Sequence, residues 1–294
     1  MTVLFAGGGT GGHLYPAIAM AEALRERDPA VRIVFAGTRG KIEARVVPAR
    51  GYEFHPIWIS GFSRRLTAAN LLFPVKAAVS LVQSFFLIRR LRPSVVVGTG
   101  GYVCGPVLFM ASLLGVPSAV HESNSYPGVT TRMLAKRMTR VFITFDATRR
   151  WLPAGSAAEL VGNPTRDELS RPSRAEACAQ FGLDPAKETL FVFGGSLGAA
   201  SINRAMPAVV RDAVASGRQV IWQTGESDAS SSAAVAPHPS VKVFPFIERM
   251  DLGYAAADLV VCRAGATTLA ELTRLGKPAV LVPYPHAAAN HQEL

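Results

Sequence analysis

Residues 3–16 read VLFAGGGTGGHLYP and decide the fold class. A short apolar strand at residues 3–6 runs directly into a glycine-rich turn, and an amphipathic helix is predicted at residues 15–27. Glycines let the backbone approach a ligand closely, and the N–H groups at a helix start favour anions. This order of strand, glycine turn and helix is typical of a Rossmann-like unit with an anion site at the turn.

The same order repeats along the chain. In the first half, further strands are predicted at 32–36, 54–57, 94–97, 118–120, 140–143 and 159–161, and a helix at 42–50. After a polar stretch, a new strand at 189–193 runs into a second glycine turn, and strands follow at 219–222, 241–244, 259–262 and 279–282. Alternating strands and helices imply parallel sheets with helices on both faces. We therefore expect an α/β protein with two Rossmann-like domains, residues 1–163 and 164–294.

Charge is distributed unevenly between these halves. The 294 residues include 31 basic and 21 acidic ones, a net charge of +10. Residues 1–163 hold 19 basic and 8 acidic residues, a net +11, whereas residues 164–294 hold 12 and 13, a net −1. A basic excess confined to one domain indicates nucleic acid, an anionic membrane or a polyanionic substrate as partner, or else a solvated basic face.

Composition excludes several classes of protein. Three widely spaced cysteines, Cys104, Cys178 and Cys262, exclude a disulfide scaffold and a Cys-rich zinc site. Residues 93–120 carry no charge, but glycines and prolines divide them into a strand, a helix at 106–114 and another strand. We therefore expect no transmembrane span there. The first residues lack a basic segment, so we expect a cytosolic protein without a secretory signal.

A nicotinamide dinucleotide is one alternative ligand for the first glycine turn. Gly7, Gly9 and Gly12 match the GxGxxG pattern, which normally requires an acidic residue at the end of the second strand. That strand ends without an acid, at residues 36–39, which disfavours NAD, while Arg39 leaves NADP open.

Two further polar clusters follow buried strands of the first domain. They are GTGGY at residues 98–102 and HESN at residues 121–124. Both stand at carboxyl ends of strands, on the same edge as the first glycine turn. A His beside a Glu can act as a proton relay, although an isolated His-Glu pair is usually structural.

Residues 262–271 predict nucleotide binding in the second domain. After a buried strand, Gly265 turns the chain and residues 266–268 open a helix, with Glu271 one turn further on. Phosphate at the helix start and a carboxylate on the ribose hydroxyls would hold a nucleotide. The alternative is a capping box formed by Thr268 and Glu271.

Six short motifs occur in order over the whole chain. They are GGTGGHLYP (8–16), GGY (100–102), HESN (121–124), GNPTR (162–166), GGSLGA (194–199) and CRAGA (262–266). Together they resemble the MurG family, the bacterial N-acetylglucosaminyltransferases that make lipid II, and the combination is far more specific than any single motif. The resemblance implies a GT-B fold, in which two Rossmann-like domains face each other across a cleft.

The resemblance also implies a reaction and its site residues. GlcNAc would move from UDP-GlcNAc to the 4-hydroxyl of MurNAc in undecaprenyl-pyrophosphoryl-MurNAc-pentapeptide, with inversion at the anomeric carbon. The implied donor contacts are Ser196 at the diphosphate, the backbone of Ile247 at uracil, the helix-start N–H groups of Ala266, Thr267, Thr268, Leu269 and Ala270, Glu271 at ribose, and Gln292 at GlcNAc. The implied contacts from the first domain are Thr10, Gly11, Gly12, Tyr102, Asn124 and Arg166.

Such a reaction needs a base to take the proton from the acceptor hydroxyl. His13 is the first candidate because it heads a helix at the site, and Glu122 is the second. Fixed N–H groups and a helix dipole can stabilise a departing diphosphate without a metal, and the chain contains no Asp-x-Asp sequence. We therefore expect no metal and no other cofactor.

With this resemblance, an anionic membrane that carries a pyrophosphate lipid becomes the expected partner of the basic domain, and nucleic acid is not expected. The apolar members of the relevant segment are Leu71, Leu72, Phe73, Val75, Val79, Val82, Phe85, Phe86 and Ile88, and the basic ones are Arg64, Arg65, Lys76, Arg89, Arg90 and Arg92. This mixture predicts a peripheral membrane-binding surface, at the cytoplasmic face of the bacterial inner membrane. The alternative is an ordinary helix packed on the sheet.

The last residues give a different expectation for the second domain. Residues 286–294 predict a loop that enters a helix with Asn290 as N-cap, and the family continues well beyond the position of Gln292. We therefore expect a truncated donor domain. Two alternatives to the transferase stay open, namely a lipid- or membrane-binding remnant without turnover and an NADP-type nucleotide-binding enzyme.

Overall fold

Two wholly parallel β-sheets organise the chain, one in each of two units, Met1–Arg166 and Asp167–Leu294. A computed structural model describes residues 1–61, 72–195, 198–225, 235–285 and 292. The predicted class, α/β with two Rossmann-like units, is confirmed. The prediction placed the domain boundary after Asn163, and the structure divides after Arg166.

The first unit has seven strands and five α-helices among its described residues. The strands are β1 (Thr2–Gly7), β2 (Arg32–Gly37), β3 (Glu53–Pro56), β4 (Val95–Gly100), β5 (Ser118–Glu122), β6 (Arg140–Ile143) and β7 (Ala158–Leu160). The helices are α1 (Gly11–Arg27), α2 (Ile42–Ala49), α3 (Phe73–Leu91), α4 (Cys104–Leu113) and α5 (Val129–Leu134). The strand order is β3-β2-β1-β4-β5-β6-β7, so the connections change direction between β1 and β4, where ligands of such sheets bind.

Strand β1 forms the centre of the first unit because its residues are apolar on both faces. Leu4 packs with Val34 and Val96 in the core on one face, and Phe5 packs with Phe35 and the residues of α1 on the other. Burying a side chain of this size contributes about 1.5–3 kcal/mol to stability. The central strands thus fix the turns that follow them.

The uncharged stretch 93–120 forms β4, α4 and β5, which confirms that it is divided rather than continuous. Among the described residues, no helix has the length and apolarity needed to cross a bilayer.

The second unit repeats the arrangement with five strands. Its strands are β8 (Thr189–Phe193), β9 (Gln219–Gln223), β10 (Val241–Phe244), β11 (Leu259–Cys262) and β12 (Ala279–Leu281), and its described helices are α6 (Arg174–Phe181), α7 (Ala200–Ala215), α8 (Met250–Ala256) and α9 (Ala266–Leu275). The strand order is β10-β9-β8-β11-β12, so β8 is central, as β1 is in the first unit. The predicted site residue Ser196, the basic residues Arg64 and Arg65, and the predicted helix at Asn290 lie outside the described residues.

Candidate active site

The turns after β1 and β4 pack backbone against backbone at the carboxyl edge of the first sheet. Gly101 has φ +81°, and a Cβ atom there would clash with the carbonyl oxygen of Gly8. Gly100 has φ +102°, and its Cβ would lie 2.5 Å from Nδ1 of His13. Only glycine fits these two positions, so the second turn can approach the first one closely.

His13 is held by Thr99 in two directions. Nδ1 of His13 lies 3.1 Å from the carbonyl oxygen of Thr99, and the Thr99 hydroxyl donates to the carbonyl oxygen of His13 at 2.7 Å. A carbonyl oxygen can only accept, so Nδ1 carries the ring proton and Nε2 keeps its lone pair. Burial lowers the pKa of His13, against the opposing effects of Glu122, Thr99 and Glu43. The ring is therefore a neutral base with Nε2 ready to accept a proton.

Glu43, in the first turn of α2, is a site residue that sequence analysis missed. Its side chain is buried, and its carboxylate accepts the Gly9 N–H at 2.8 Å and the Thr38 N–H at 2.9 Å. The acid that the GxGxxG pattern lacks on β2 thus comes from α2, but it binds the protein's own turn. A carboxylate in this position occupies an N–H group that a dinucleotide pyrophosphate would need, which disfavours the NADP alternative.

Glu122, the second candidate base, ends β5 and fixes the loop that leads into α5. It is buried, and its carboxylate accepts hydrogen bonds from the backbone of Asn124 (3.1 Å) and of Gly128 (2.9 Å) and from the Thr131 hydroxyl (2.7 Å). The Asn124 side-chain amide donates to it as well, at 3.3 Å. These bonds all point into the protein's own loop, so the geometry favours His13 over Glu122 as the base and gives Glu122 a positioning role.

The other predicted residues of the first unit lie on the same edge or beside it. Thr10 is the N-cap of α1 and makes no side-chain capping bond, and Gly11 and Gly12 open the helix without an acidic residue in its first turn. The ring of Tyr102 is 59% exposed. The buried guanidinium of Arg166 lies 4.4 Å above the ring of Tyr15 in α1.

An apolar cavity of about 290 Å³ opens between α3 and α4, next to Tyr102. Its lining is mainly apolar and includes Phe73, Ala77, Leu81, Phe109 and Met133. The opposite face of α3 exposes Val75, Val82 and Phe86, while its serines Ser80 and Ser84 are buried. The helix therefore presents apolar side chains outward.

In the second unit, α9 provides an uncapped helix start. Gly265 is its N-cap and makes no side-chain capping bond, and the first turn contains no acidic residue. Thr268 is the third residue of the helix, and Glu271 is buried and accepts the Tyr254 hydroxyl at 2.8 Å, so the capping-box alternative is wrong. A helix start whose N-cap residue makes no side-chain capping bond is suited to a phosphate.

The predicted N–H contacts further along α9 need a correction. The Leu269 N–H already donates to the carbonyl oxygen of Gly265 at 2.9 Å, which is the first turn of regular helix bonding. Ala270 follows it within the helix. Backbone N–H contacts to an anion are therefore expected from Ala266, Thr267 and Thr268 only.

Gln223, at the end of β9, links two loops of the second unit and was missed in the sequence. Its side-chain amide donates to the carbonyl oxygen of Gly195 at 3.1 Å and accepts the backbone N–H of Ile247 at 2.8 Å. Because the Ile247 N–H donates to Gln223, the predicted backbone contact with uracil is expected from the Ile247 carbonyl oxygen.

Arg263, after β11, is a second residue without a predicted role. Its guanidinium donates to the carbonyl oxygen of Pro283 and to the hydroxyl of Ser201 at the start of α7, both at 2.8 Å. Both acceptors are uncharged, so the positive charge remains available to an anion at this edge of the sheet. The sequence signal was its place between a buried strand and the glycine that starts α9.

Gln292 accepts the backbone N–H of Tyr284 at 2.7 Å through its side-chain oxygen, which places it beside the segment after β12.

Within the described ranges, no group of three or more His, Cys, Asp or Glu residues could hold a metal ion.

Both halves of the chain match one class of enzyme. Residues 3–143 match the glycosyltransferase family 28 N-terminal domain, and residues 189–294 match the glycosyltransferase family 28 C-terminal domain. The fold and the matched domains therefore define a glycosyltransferase of family 28, as the motifs predicted.

Individual relatives narrow this class. The UDP-N-acetylglucosamine--N-acetylmuramyl-(pentapeptide) pyrophosphoryl-undecaprenol N-acetylglucosamine transferase of Salinibacter ruber is 47% identical over 292 residues, which covers 99% of this chain and 79% of that protein. Its counterpart of the same name in Prosthecochloris aestuarii is 45% identical over 297 residues, covering 99% and 81%. The crystal structure of Acinetobacter baumannii MurG matches with a TM-score of 0.68 at 27% identity, covering 99% and 81%. The chain belongs to the MurG family.

Proposed function

We propose that this protein transfers GlcNAc from UDP-GlcNAc to the 4-hydroxyl of MurNAc in undecaprenyl-pyrophosphoryl-MurNAc-pentapeptide, with inversion, converting lipid I to lipid II in peptidoglycan synthesis. The names of its relatives support both substrates. The observation that carries the proposal is the hydrogen bond of His13, whose Nδ1 lies 3.1 Å from the Thr99 carbonyl oxygen, which leaves Nε2 as the nitrogen that can accept a proton.

In the proposed reaction, Nε2 of His13 takes the proton of the acceptor hydroxyl while that oxygen bonds to the anomeric carbon and the bond to UDP breaks. The lowered pKa keeps the ring neutral before the reaction. The carboxylates of Glu122 and Glu43 favour the imidazolium that forms, because both act to raise this pKa. General-base catalysis of this kind contributes about 10²–10⁴-fold to a rate.

The second unit would hold the donor. We assign the diphosphate to the helix-start N–H groups of α9 and to Arg263, whose charges stabilise the departing UDP. Glu271, whose carboxylate accepts the Tyr254 hydroxyl at 2.8 Å, would also accept a ribose hydroxyl. The carbonyl oxygen of Ile247 would accept the N–H of uracil. No step in this scheme requires a metal.

We also propose that the protein binds peripherally to the cytoplasmic face of the inner membrane. The support is the outward apolar face of α3 at Val75, Val82 and Phe86, followed by exposed Arg89 and Arg90 in its last turn. Apolar side chains between cations are suited to an anionic lipid surface. A membrane-embedded acceptor would then reach the site without leaving the bilayer.

Transfer of labelled GlcNAc from UDP-GlcNAc to a lipid I analogue, followed by separation of the lipid II product, tests this function. We expect turnover by the wild-type protein and a loss of about 10²-fold or more in His13→Ala. Calorimetry with UDP-GlcNAc and with NADP distinguishes the alternatives. Binding of NADP in preference to UDP-GlcNAc would overturn the proposal, and UDP-GlcNAc binding without transfer would favour a remnant that has lost turnover.

A further inference from the structure

Four side chains at the carboxyl edge of the first sheet form a row of two aromatic rings with a cation at each end. The Arg132 guanidinium lies 5.0 Å from the ring centre of Tyr126, and the Tyr126 ring meets the ring of Trp151 edge to face, also at 5.0 Å. The Arg150 guanidinium lies 5.1 Å from the ring centre of Trp151 at the other end. We call this group the Arg–aromatic stack.

Two sets of hydrogen bonds hold the stack beside Asn124. Glu122 fixes the loop that carries Tyr126 and the start of α5, which carries Arg132, through the bonds described above. The segment that carries Trp151 is fixed by the buried hydroxyl of Thr148, which donates to the carbonyl oxygen of Asn124 at 3.1 Å. The segment that carries Tyr126 and Arg132 and the segment that carries Trp151 are thus bonded to the same loop, so the stack is organised before any ligand binds.

The two cations of the stack have no acidic partner in the part of the chain that the structure describes. Nε of Arg132 is buried there without a hydrogen-bond partner. The neighbouring Arg149, by contrast, is paired with Asp146 at 2.8 Å and donates to the Ala158 carbonyl oxygen. Arg132 as a whole is only partly buried, so the outer N–H groups of its guanidinium can donate to a carboxylate.

We propose that the Arg–aromatic stack binds the carboxylates of the acceptor's peptide stem, an inference that rests on the proposed function. Guanidinium groups held flat on aromatic rings present their N–H edges to carboxylates. His13 follows β1, whereas the stack follows β5 and β6, which are two and three strands away in the sheet. At about 4.8 Å per strand this is roughly 10–14 Å, and an extended pentapeptide spans about 17 Å. The terminal carboxylate therefore reaches the stack while the sugar is at His13.

The charge of the stack alone would also attract anionic lipid headgroups. The position of the stack on α5 favours the peptide. Thr130 and Met133 of this helix line the apolar cavity beside α3. Thr131 instead donates to Glu122, and Arg132 belongs to the stack. The stack thus adjoins the loop between β5 and α5 rather than the exposed apolar face of α3.

Binding of N-acetylmuramyl-pentapeptide without lipid, measured by NMR titration of the whole chain, tests the inference. The comparison ligands are the same compound with its carboxyl groups amidated and N-acetylmuramic acid without a peptide. Arg132→Ala and Arg150→Ala remove the cations, and Arg132→Lys keeps the charge without the planar fork. The matched control is Arg140→Ala, since Arg140 is an exposed arginine at the opposite edge of the sheet, at the start of β6.

We expect amidation and Arg132→Ala each to raise the Kd about tenfold, the loss expected for one charge-assisted hydrogen bond. Arg150→Ala, at an exposed position that cannot perturb the core, should raise it severalfold, and Arg140→Ala should not change it. Equal affinity for the acid and the amide overturns the inference, as does an equal effect of Arg140→Ala. Loss of binding to anionic vesicles in Arg132→Ala, with unchanged peptide affinity, would assign the stack to the membrane instead. Turnover of wild-type protein, assayed separately, reports on the proposed function, so the two can fail independently.

Discussion

His13 and Thr99 hold each other through two hydrogen bonds although they are 86 residues apart in the sequence. One bond, from Nδ1 of His13 to the Thr99 carbonyl oxygen, sets the tautomer of the ring. The other, from the Thr99 hydroxyl to the His13 carbonyl oxygen, joins the start of α1 to the end of β4. The protonation state of the proposed base therefore depends on the contact between two glycine turns, and this dependence can be tested.

The pH dependence of turnover should report on His13. Its ordinary pKa is 6.5 and burial lowers it, so the ring stays neutral and active as pH falls below 6.5. We expect kcat/KM to decline only at lower pH, when the ring becomes protonated. Glu122→Gln should keep this acid limb of the profile but move it to lower pH, because Glu122 raises the pKa of His13. His13→Asn should remove the limb together with most of the turnover. A limb that vanishes in Glu122→Gln and persists in His13→Asn would assign the base to Glu122.

Thr99→Val should weaken both the fold and the base. The buried hydroxyl is lost, which leaves the His13 carbonyl oxygen without this donor and costs about 1 kcal/mol of stability. We expect kcat to fall severalfold with an unchanged KM for UDP-GlcNAc, and Thr99→Ser to restore it. Thr139→Val is the control, because Thr139 accepts a backbone hydrogen bond at the amino edge of the same sheet. An equal loss of kcat in Thr139→Val would mean that only stability is involved.

Glu43→Gln should change both the stability and the pH profile. The carboxylate accepts two backbone N–H groups with separate oxygens, and an amide can accept only one of them, at a cost of about 1–3 kcal/mol. Because Glu43 raises the pKa of His13, its neutralisation should shift the acid limb of kcat/KM to lower pH. Thermal unfolding and a pH profile measure the two effects. Glu53→Gln, which alters an exposed ion pair with Arg32, should change neither.

The fold was predictable from the sequence because its strands are short apolar runs, and β1, β2, β4 and β8 end at or next to a glycine. The predicted strands at 140–143, 189–193, 241–244 and 259–262 have the observed bounds. Helix α1 begins at Gly11, four residues before the predicted start at Tyr15, because the glycine turn itself enters the helix without a capping side chain. Local propensity does not favour glycine in a helix, so only the packing of the turn against β4 reveals this start.

The candidate site residues that the sequence marks lie in turns and polar clusters between a strand and the next helix. His13, Tyr102 and Asn124 are marked by glycine turns or polar clusters at strand ends. Glu43 and Gln223 carry no such mark, since their partners are 34, 24 and 28 residues away and the contacts exist only in the folded sheet. The spacing of Thr268 and Glu271 fits a capping box as well as a nucleotide site, and the capping box is excluded only by the folded structure, in which Gly265 is the N-cap and Glu271 accepts the Tyr254 hydroxyl.

Substitutions on α3 should separate membrane binding from catalysis. Phe86 is 64% exposed, and Phe86→Ser removes an apolar contact worth about 1.5–3 kcal/mol if it enters a bilayer. We expect at least tenfold weaker co-sedimentation of this variant with anionic vesicles. The double variant Arg89→Glu/Arg90→Glu should lose a similar amount at low salt, and its difference from wild type should disappear at high salt because salt screens the charges. Val280→Ser, at an exposed apolar position of the second unit, should bind like wild type. Unchanged co-sedimentation of both α3 variants would reject this surface as the membrane contact.

Substitution of Gln223 should affect the donor and spare the acceptor. Its amide joins the glycine turn after β8 to the loop at Ile247, so Gln223→Ala should loosen the loop that we assign to uracil and raise the KM for UDP-GlcNAc about tenfold. Gln223→Glu should be worse, because a carboxylate would face the carbonyl oxygen of Gly195. Gln219, at the amino end of the same strand, is equally buried and donates to the Asp184 carbonyl oxygen. Gln219→Ala should therefore lower thermal stability by a similar amount and leave the KM for UDP-GlcNAc unchanged. If both variants raise this KM equally, Gln223 stabilises the sheet without organising the donor site.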